Sequence, residues 1–271
     1  MTQSDIDSQN KDFWDELCGS GLAQSIGIDN NSPENIEKFD SAYMDLYPYL
    51  YKYLPNPTNP QERLLEIGLG YGTVGEILIQ RGFEYHGLDI AEGPVGLMTE
   101  RMKRNGFSGE SIQRGSALEV AYPENYFQKV VSIGCLHHTG DLKKCIAEVH
   151  RILAPEGEAL IMLYNRLSYR QLVQAPANWF KAMKSEGWSE YRRRIRSMYD
   201  TNAQGEAAPH TDYTTAPGAH WLFRSFSSID VEIQNFDHLS LFSGKFQRTR
   251  PQLLNNIARI LGLDLYIRVK K

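Results

Sequence analysis

The chain has 271 residues, enough for one large domain or for one domain with a cap. Its net charge of -4 and pI near 6.0 argue against a dedicated nucleic-acid binder, which is usually basic. No apolar run approaches the ~20 residues of a bilayer span, the polar N-terminus lacks the pattern of a signal peptide, and the three cysteines are too scattered for a disulfide framework. We therefore expect a cytoplasmic protein with no membrane or nucleic-acid partner.

Two helices are predicted before the first strand, at residues 10–18 and 33–54. The second is rich in aromatic residues, and the prolines and asparagines of residues 56–60 end it.

Short apolar segments then alternate with helices. The predicted strands are 63–67, 85–90, 111–114, 129–133 and 158–164, and the predicted helices between them are 73–82, 92–105 and 140–153. This alternation is typical of a parallel sheet covered by helices on both faces. Residues 166–212 interrupt the rhythm. The remaining predicted elements are a helix at 216–225, a strand at 229–236, a helix at 250–261 and a strand at 264–270.

A glycine-rich turn follows the first predicted strand, in the run EIGLGYG at residues 66–72. Glycine permits positive φ and close approach of a ligand to the backbone. Ligands of parallel sheets lie at the carboxyl ends of the strands, so this turn predicts a nucleotide-like pocket. The run 70–75 also fits the dinucleotide fingerprint G-x-G-x-x-G. Asp89, 19 residues after Gly70, would bind ribose hydroxyls in either interpretation. Glu66 favours a cofactor with an ammonium group over a pyrophosphate, because opposite charges attract.

Residues 64–72 resemble the first motif of the class I S-adenosylmethionine-dependent methyltransferases, and Asp89 resembles the ribose-binding acid of that family. Other segments are also similar to the family. Residues 115–119 with 122–127 resemble the part that flanks adenine, and residues 133–139 resemble the LHHT end of the fourth strand. Residues 148–157 are similar to the helix-to-strand turn before the fifth strand. The resemblance extends to Phe13 and Trp14 with residues 18–20, and to the closing strand at 264–269.

The resemblance implies S-adenosylmethionine as cofactor and S-adenosylhomocysteine as product. By position, Gly68, Gly70 and Gly72 would pass under the methionine part, and Asp89 would hold the ribose. Ser116 would face the adenine amine, a weaker contact than the aspartate that the family usually has there. The full predicted cofactor set is Glu66, Gly68, Gly70, Gly72, Asp89, Ile90, Ser116, Ala117, Leu118 and Gly134.

The predicted fold class is α/β, with a doubly wound, Rossmann-like sheet of seven strands. The sheet is mostly parallel with an antiparallel last strand, and N-terminal helices and a helical cap insertion are added to it. The predicted parts are an N-terminal helical lid (1–59), the cofactor-binding core (60–165), a helical cap that contributes to the substrate site (166–212) and the C-terminal part of the core (213–271).

His137 and His138 follow the fourth strand, where substrate meets the methyl group in this fold. Histidine titrates near neutral pH, so either could be a general base. The alternative is that they cap a helix or pack in a loop. Cys135 lies too close to both histidines for a normal zinc site, and no metal is predicted.

The predicted substrate contacts are Trp14, Tyr43, Tyr164, Arg166 and Arg170. Arginine side chains bind carboxylates and phosphates in a bidentate way, so an anionic metabolite is one candidate. A second basic run, at 191–196, fits either that role or a solvated helix face. The predicted function is methyl transfer to a small molecule, with oxygen favoured over nitrogen. The alternatives are an NAD-dependent oxidoreductase and a non-catalytic nucleotide-binding protein.

Overall fold

The structure is a computed structural model that describes residues 2–16, 21–176, 187–241, 246–254 and 256–271. Two stretches with predictions lie outside the described residues. Residues 17–20 hold the end of the predicted first helix and the predicted segment 18–20, and residues 177–186 belong to the predicted cap. Within the described part of the chain, no helix combines the length and apolar character that crossing a membrane requires.

Four helices precede the first strand: α1 (Gln3–Asp15), α2 (Gly21–Ser25), α3 (Pro33–Leu46) and α4 (Leu50–Tyr53). Helix α1 begins earlier than predicted, because the side chains of Thr2 and Asp5 form a reciprocal capping box. The helix predicted at 33–54 is two helices. Pro48 lies between them, and it has no N–H with which to continue the helical hydrogen bonds.

The central part of the chain alternates strands and helices as predicted. Its elements are β1 (Arg63–Ile67), α5 (Thr73–Gln80), β2 (Glu84–Asp89), α6 (Glu92–Arg104), β3 (Ile112–Arg114), β4 (Phe127–Ile133), α7 (Leu142–Ile152) and β5 (Leu153–Tyr164). Strand β5 begins directly after α7, five residues earlier than predicted, because Leu153 pairs with Phe127 before a register shift in β4.

The rest of the chain holds shorter elements: α8 (Gly187–Ser197), α9 (Ala216–Leu222), β6 (Ser228–Gln234), β7 (Leu239–Leu241), β8 (Phe246–Arg248), α10 (Arg250–Leu254), α11 (Ala258–Leu261) and β9 (Asp264–Lys270). The helix predicted at 250–261 is two short helices, and the β7–β8 pair was not predicted. The two ends of the segment between β5 and α9 lie side by side, because Asn165, just after β5, forms a β-bridge with Thr214, just before α9.

Seven strands form one sheet in the order β3-β2-β1-β4-β5-β9-β6. The pairs among β1 to β5 are parallel, and β9 is antiparallel to both of its neighbours, which confirms the predicted fold class. Adjacent side chains on β1 point to opposite faces of the sheet. Leu65 packs with α7 on one face, and Leu64 packs with α5 and α6 on the other. Because both faces are covered, the open edge at the carboxyl ends of the parallel strands is the place for a site.

Candidate active site

A cavity of about 280 Å³ lies at the carboxyl ends of β1, β2 and β4. Its walls come from the glycine-rich turn after β1, the ends of β2 and β4, and the segment after β3. Helices α1 and α3 and residues 201–202 contribute further wall residues. The N-terminal helices and the cap segment therefore meet the core at this cavity.

The glycines of the turn serve two different needs. Gly68 and Gly70 line the cavity with φ of +86° and +50°. A Cβ on Gly68 would come 2.3 Å from the Cβ of Cys135, whereas a Cβ on Gly70 would meet no described atom within 4 Å. Gly72 lies outside the cavity lining, where a Cβ would come 2.8 Å from the Cδ of Arg101. Gly70 thus exposes backbone to open space, while Gly68 and Gly72 permit tight packing.

Asp89 ends β2 and points its carboxylate along the glycine turn. Its Oδ2 accepts a hydrogen bond from the N–H of Leu69 at 2.7 Å, and its Oδ1 accepts one from Ala91 at 3.0 Å. Burial raises the pKa of Asp89, and the backbone N–H groups oppose that rise. The turn and the acid predicted to hold the ribose are therefore bonded to each other.

Glu66, near the end of β1, is a second carboxyl group in the cavity wall, and its residue is only 2% exposed. Its Oε2 accepts a hydrogen bond from the hydroxyl of Tyr85 at 2.5 Å. Burial raises the pKa of Glu66 to about 8, although the Tyr85 hydrogen bond opposes this. A positive charge beside this carboxyl group would favour its ionised form, because opposite charges attract.

The remaining predicted cofactor residues fall into two groups. Ile90, Ser116, Ala117 and Gly134 line the cavity. Leu118 lies outside the lining, in the apolar core. The Oγ of Ser116 accepts a hydrogen bond from the N–H of Leu118 at 3.2 Å, so this hydroxyl also shapes its own turn.

The two histidines occupy different surroundings. They form a 3₁₀ turn after β4, and His138 lines the cavity. His137 is fully buried outside the lining, with its ring 4.1 Å from the ring of Tyr164. Burial lowers the pKa of both histidines. Of the pair, only His138 belongs to the cavity wall, and its Nε2 is buried with no hydrogen-bond partner among the described residues.

Only some of the predicted substrate contacts line the cavity. Trp14 and Tyr43 line the cavity, and the Trp14 ring lies 4.9 Å from the His138 ring. Tyr164, Arg166 and Arg170 lie outside the lining. Arg166 is exposed to solvent. Both Nε and Nη2 of Arg170 donate to the carboxylate of Asp237, at 2.6 Å each, which compensates its charge within the protein.

Helix α1 supplies two wall residues, Asp7 and Asn10, that sequence reasoning missed. They recur with the predicted Trp14 at helical spacing on one face, and this spacing was the available signal. The side chain of Asn10 is buried and donates to the carbonyl of His138 at 2.8 Å. Gln3 donates to the carbonyl of Thr139 at 2.7 Å. Helix α1 is thus bonded across the carboxyl end of β4.

Helix α3 is anchored to the core by a buried charge. Arg101 on α6 is 3% exposed; it donates to both carboxylate oxygens of Asp40 at 2.8 and 3.0 Å and to the carbonyl of Tyr71 at 2.9 Å. Asp40 also accepts a hydrogen bond from the Thr73 hydroxyl at 2.6 Å. One carboxylate therefore joins α3 to the glycine-rich turn and to the start of α5.

We expect Asp40→Ala to lower the free energy of unfolding by about 2 kcal/mol, since it leaves a buried guanidinium with fewer partners. Urea unfolding followed by circular dichroism would measure the change. The exposed Asp45→Ala on the same helix is the matched control, and it should change stability by less than about 0.5 kcal/mol. Equal effects of the two substitutions would contradict the role assigned to Asp40.

The sheet order, the glycine-rich turn after β1, the acid at the end of β2 and the buried acid on β1 occur together around one cavity. This is the combination that the resemblance of residues 64–72 and Asp89 to the class I S-adenosylmethionine-dependent methyltransferases predicts. The cavity suits this cofactor, since Glu66 offers a carboxyl group for the ammonium, Asp89 one for the ribose hydroxyls, and Gly70 an open backbone.

Comparison with known proteins agrees with this class. Residues 65–161, less than half of the chain, match a family model described as a methyltransferase domain. A phosphoethanolamine N-methyltransferase 2 of Caenorhabditis elegans is 27% identical over 108 residues, which are 40% of this chain and 25% of that protein. A ubiquinone biosynthesis O-methyltransferase of Pseudomonas aeruginosa is 24% identical over 136 residues, 50% of this chain and 59% of that protein. The chain thus spans less than two thirds of either relative.

Among solved structures, the phosphoethanolamine N-methyltransferase 2 of Haemonchus contortus, in complex with phosphomonomethylethanolamine and S-adenosylhomocysteine, has a TM-score of 0.55 at 17% identity. The match covers 84% of this chain and 53% of that one. At this identity the likeness supports the fold. Together with the family match, it supports a methyltransferase domain at residues 65–161.

Proposed function

We propose that the protein transfers a methyl group from S-adenosylmethionine to a hydroxyl oxygen of a small molecule, with His138 as general base. The observation that supports this most directly is that Glu66, Gly70, Asp89 and His138 line one cavity. When bound, the cofactor supplies a methyl group on a positively charged sulfur. The protein must then hold the acceptor in line with that methyl group, and good alignment contributes roughly 7–11 kcal/mol.

A small acceptor fits the covered cavity better than a polymer does. Helix α1 crosses one side through Gln3 and Asn10, and Glu16 at its end accepts a hydrogen bond from the N–H of Ala203 at 3.3 Å. The N-terminal helix and the cap segment therefore meet above the cavity. Such a cover excludes water from the reacting atoms, and it supports the lid predicted for the N-terminal residues.

The walls disfavour a negatively charged acceptor group next to the cofactor. Within the described lining there are four carboxylic acids, Asp7, Glu16, Glu66 and Asp89, and no lysine or arginine. Phe13, Trp14 and Tyr43 add aromatic surface. An anionic part of the acceptor would have to lie beyond this wall, because Arg166 is exposed and Arg170 is paired with Asp237.

The choice of oxygen depends on the presence of a base. A hydroxyl must lose its proton as it is methylated, whereas a neutral amine can react before it does so. His138 is kept largely neutral by burial, which lowers its pKa, so it is ready to accept a proton at neutral pH. The names of the relatives include both an N- and an O-methyltransferase, so they do not select the acceptor atom.

The cofactor can be tested without knowing the acceptor. We expect S-adenosylhomocysteine to raise the melting temperature, since a ligand at a hundred times its Kd stabilises by about 2.7 kcal/mol, and NAD to leave it unchanged. Of the three glycines of the dinucleotide fingerprint, Gly70 alone lines the cavity; Gly72 faces Arg101, and a Cβ on Gly75 would come 2.5 Å from the Tyr85 hydroxyl. Stabilisation by NAD alone would instead favour an oxidoreductase.

Transfer itself is tested with S-adenosylmethionine labelled in the methyl group, incubated with a panel of simple phenols and a metabolite extract. Label should appear in an organic product with the wild-type chain and much more slowly with Asp89→Ala. If S-adenosylhomocysteine binds but no acceptor is labelled, the result would favour a non-catalytic binding protein.

A further inference from the structure

One carboxylate from the cap segment reaches the proposed base. Asp200 follows α8, and its Oδ2 lies 3.5 Å from Nε2 of His138. The hydroxyl of Tyr164 donates to both oxygens of Asp200, at 2.9 and 3.1 Å. The next two residues, Thr201 and Asn202, line the cavity. Asp200 is therefore held between β5 and the histidine at the cavity wall.

The other ring nitrogen of His138 fixes its tautomer. Nδ1 lies 2.7 Å from the carbonyl oxygen of His210, which can only accept a hydrogen bond, so Nδ1 carries the proton. In the neutral ring Nε2 then has a lone pair, and this lone pair faces the carboxylate of Asp200. That arrangement is unfavourable for the neutral ring and favourable for the imidazolium, whose Nε2–H would point at a negative charge.

Other charged or titratable groups also face the His138 ring. The His137 ring lies 4.2 Å away, and His210 and Asp212 on the returning segment pair with each other at 3.2 Å. Burial is the largest influence and lowers the pKa of His138. Asp200 raises this pKa more than any other charge does, with Asp212 acting in the same direction and His210 against it.

We propose that Asp200 is the positioning residue that enables His138 to accept the proton of the acceptor, held in place by Tyr164. This inference rests on the proposed function. As the acceptor oxygen bonds to the methyl carbon, the carbon–sulfur bond breaks and its electron pair stays on sulfur. The hydroxyl proton moves to Nε2 of His138, where Asp200 stabilises the new positive charge. The proton then passes to water, which restores the neutral ring.

Histidine NMR of the ¹⁵N-labelled protein, saturated with S-adenosylhomocysteine, tests this coupling without an acceptor. Assignment would use His138→Gln. In the wild type we expect the Nδ1–H tautomer of neutral His138, and we expect Asp200→Asn to lower the pKa of His138 by about one unit. Asp212→Asn removes a carboxylate from the same returning segment and should give a smaller shift. An unchanged pKa in Asp200→Asn, or the opposite tautomer in the wild type, would overturn the proposal.

Kinetics with a phenol that the wild type methylates give a second readout. Asp200→Asn should lower kcat about 10- to 100-fold, part of what a general base contributes, with KM for S-adenosylmethionine within about twofold. The acid limb of its kcat profile should move to lower pH, and Asp200→Glu should recover part of kcat. A loss of activity with an unmoved acid limb would indicate a structural role and overturn the proposal.

Failure of the proposed function can be distinguished from failure of the coupling between Asp200 and His138. If no phenol is methylated although Asp200→Asn shifts the pKa of His138 as expected, the coupling of the two residues holds and the proposed reaction does not. If S-adenosylhomocysteine fails to bind the wild type, the cofactor assignment is wrong. Should Asp200→Asn not fold, Tyr164→Phe gives the decisive measurement, since freeing Asp200 from its donor must move the pKa of His138.

Discussion

Asp89→Ala is expected to weaken binding of S-adenosylhomocysteine at least tenfold. The carboxylate lies in the cavity wall at the end of β2, where it would accept hydrogen bonds from the two ribose hydroxyls. Hydrogen bonds to a charged group contribute roughly 1.5–3 kcal/mol each, so loss of both corresponds to about a hundredfold or more. The substitution also removes the acceptor for Leu69 and so loosens the glycine-rich turn. Isothermal titration calorimetry measures the affinity directly.

Two comparisons separate loss of ribose contacts from general damage. Asp230→Ala, on β6 at the far side of the sheet, removes an exposed carboxylate and should leave the affinity unchanged. Asp89→Asn keeps an acceptor oxygen for Leu69 but loses the charge, so its affinity should fall between those of wild type and Asp89→Ala. Full affinity in a folded Asp89→Ala would refute the assignment of this residue to the ribose.

The parts of the fold that sequence predicted are those fixed by local patterns. The alternation of short apolar strands and helices predicted the parallel sheet, since central strands such as β1 and the second half of β5 are buried on both faces. The errors lie where a single residue or a tertiary contact overrides the pattern. Pro48 splits the helix predicted at 33–54 into two. Leu153 extends β5 because Phe127 is there to pair with it, and nothing local to Leu153 shows that.

Most residues predicted to bind the cofactor line the cavity, because they belong to short motifs at strand ends. Trp14, Tyr43 and His138, predicted for the acceptor side, line it as well, but contacts between distant segments could not be predicted. Asp200 reaches His138 from 62 positions away, across the cap segment. Arg170 was predicted to bind substrate, yet Asp237, 67 residues further on, occupies its guanidinium. Pairings at such separations follow from the path of the whole chain, which no local pattern records.

Glu66→Gln is expected to stabilise the cofactor-free protein at pH 8 by a few kcal/mol while leaving its stability near pH 4.5 almost unchanged. The folded-state pKa of Glu66, about 8, is above the ordinary value of 4.5 for a glutamate. Between pH 4.5 and pH 8 the folded chain keeps a proton that the unfolded chain releases. The contribution of Glu66 to the free energy of unfolding is therefore lost as pH rises, at up to about 1.4 kcal/mol per pH unit. Glutamine does not titrate, yet its oxygen can still accept the Tyr85 hydrogen bond. Urea unfolding at several pH values measures the difference.

The same substitution should weaken binding of S-adenosylhomocysteine, and the opposite signs of the two effects identify Glu66 as a ligand-binding group. An ammonium beside Glu66 would favour the carboxylate, so binding to the wild type should release a proton below pH 8, and affinity should rise with pH towards that value. Calorimetry in buffers of different ionisation enthalpy detects the proton, which Glu66→Gln should not release. Glu62→Gln, a buried acid just before β1 that bonds to Thr58, should destabilise the fold and leave affinity unchanged. A Glu66→Gln protein that binds as tightly as wild type at every pH would show that this carboxyl group does not meet the cofactor's charge.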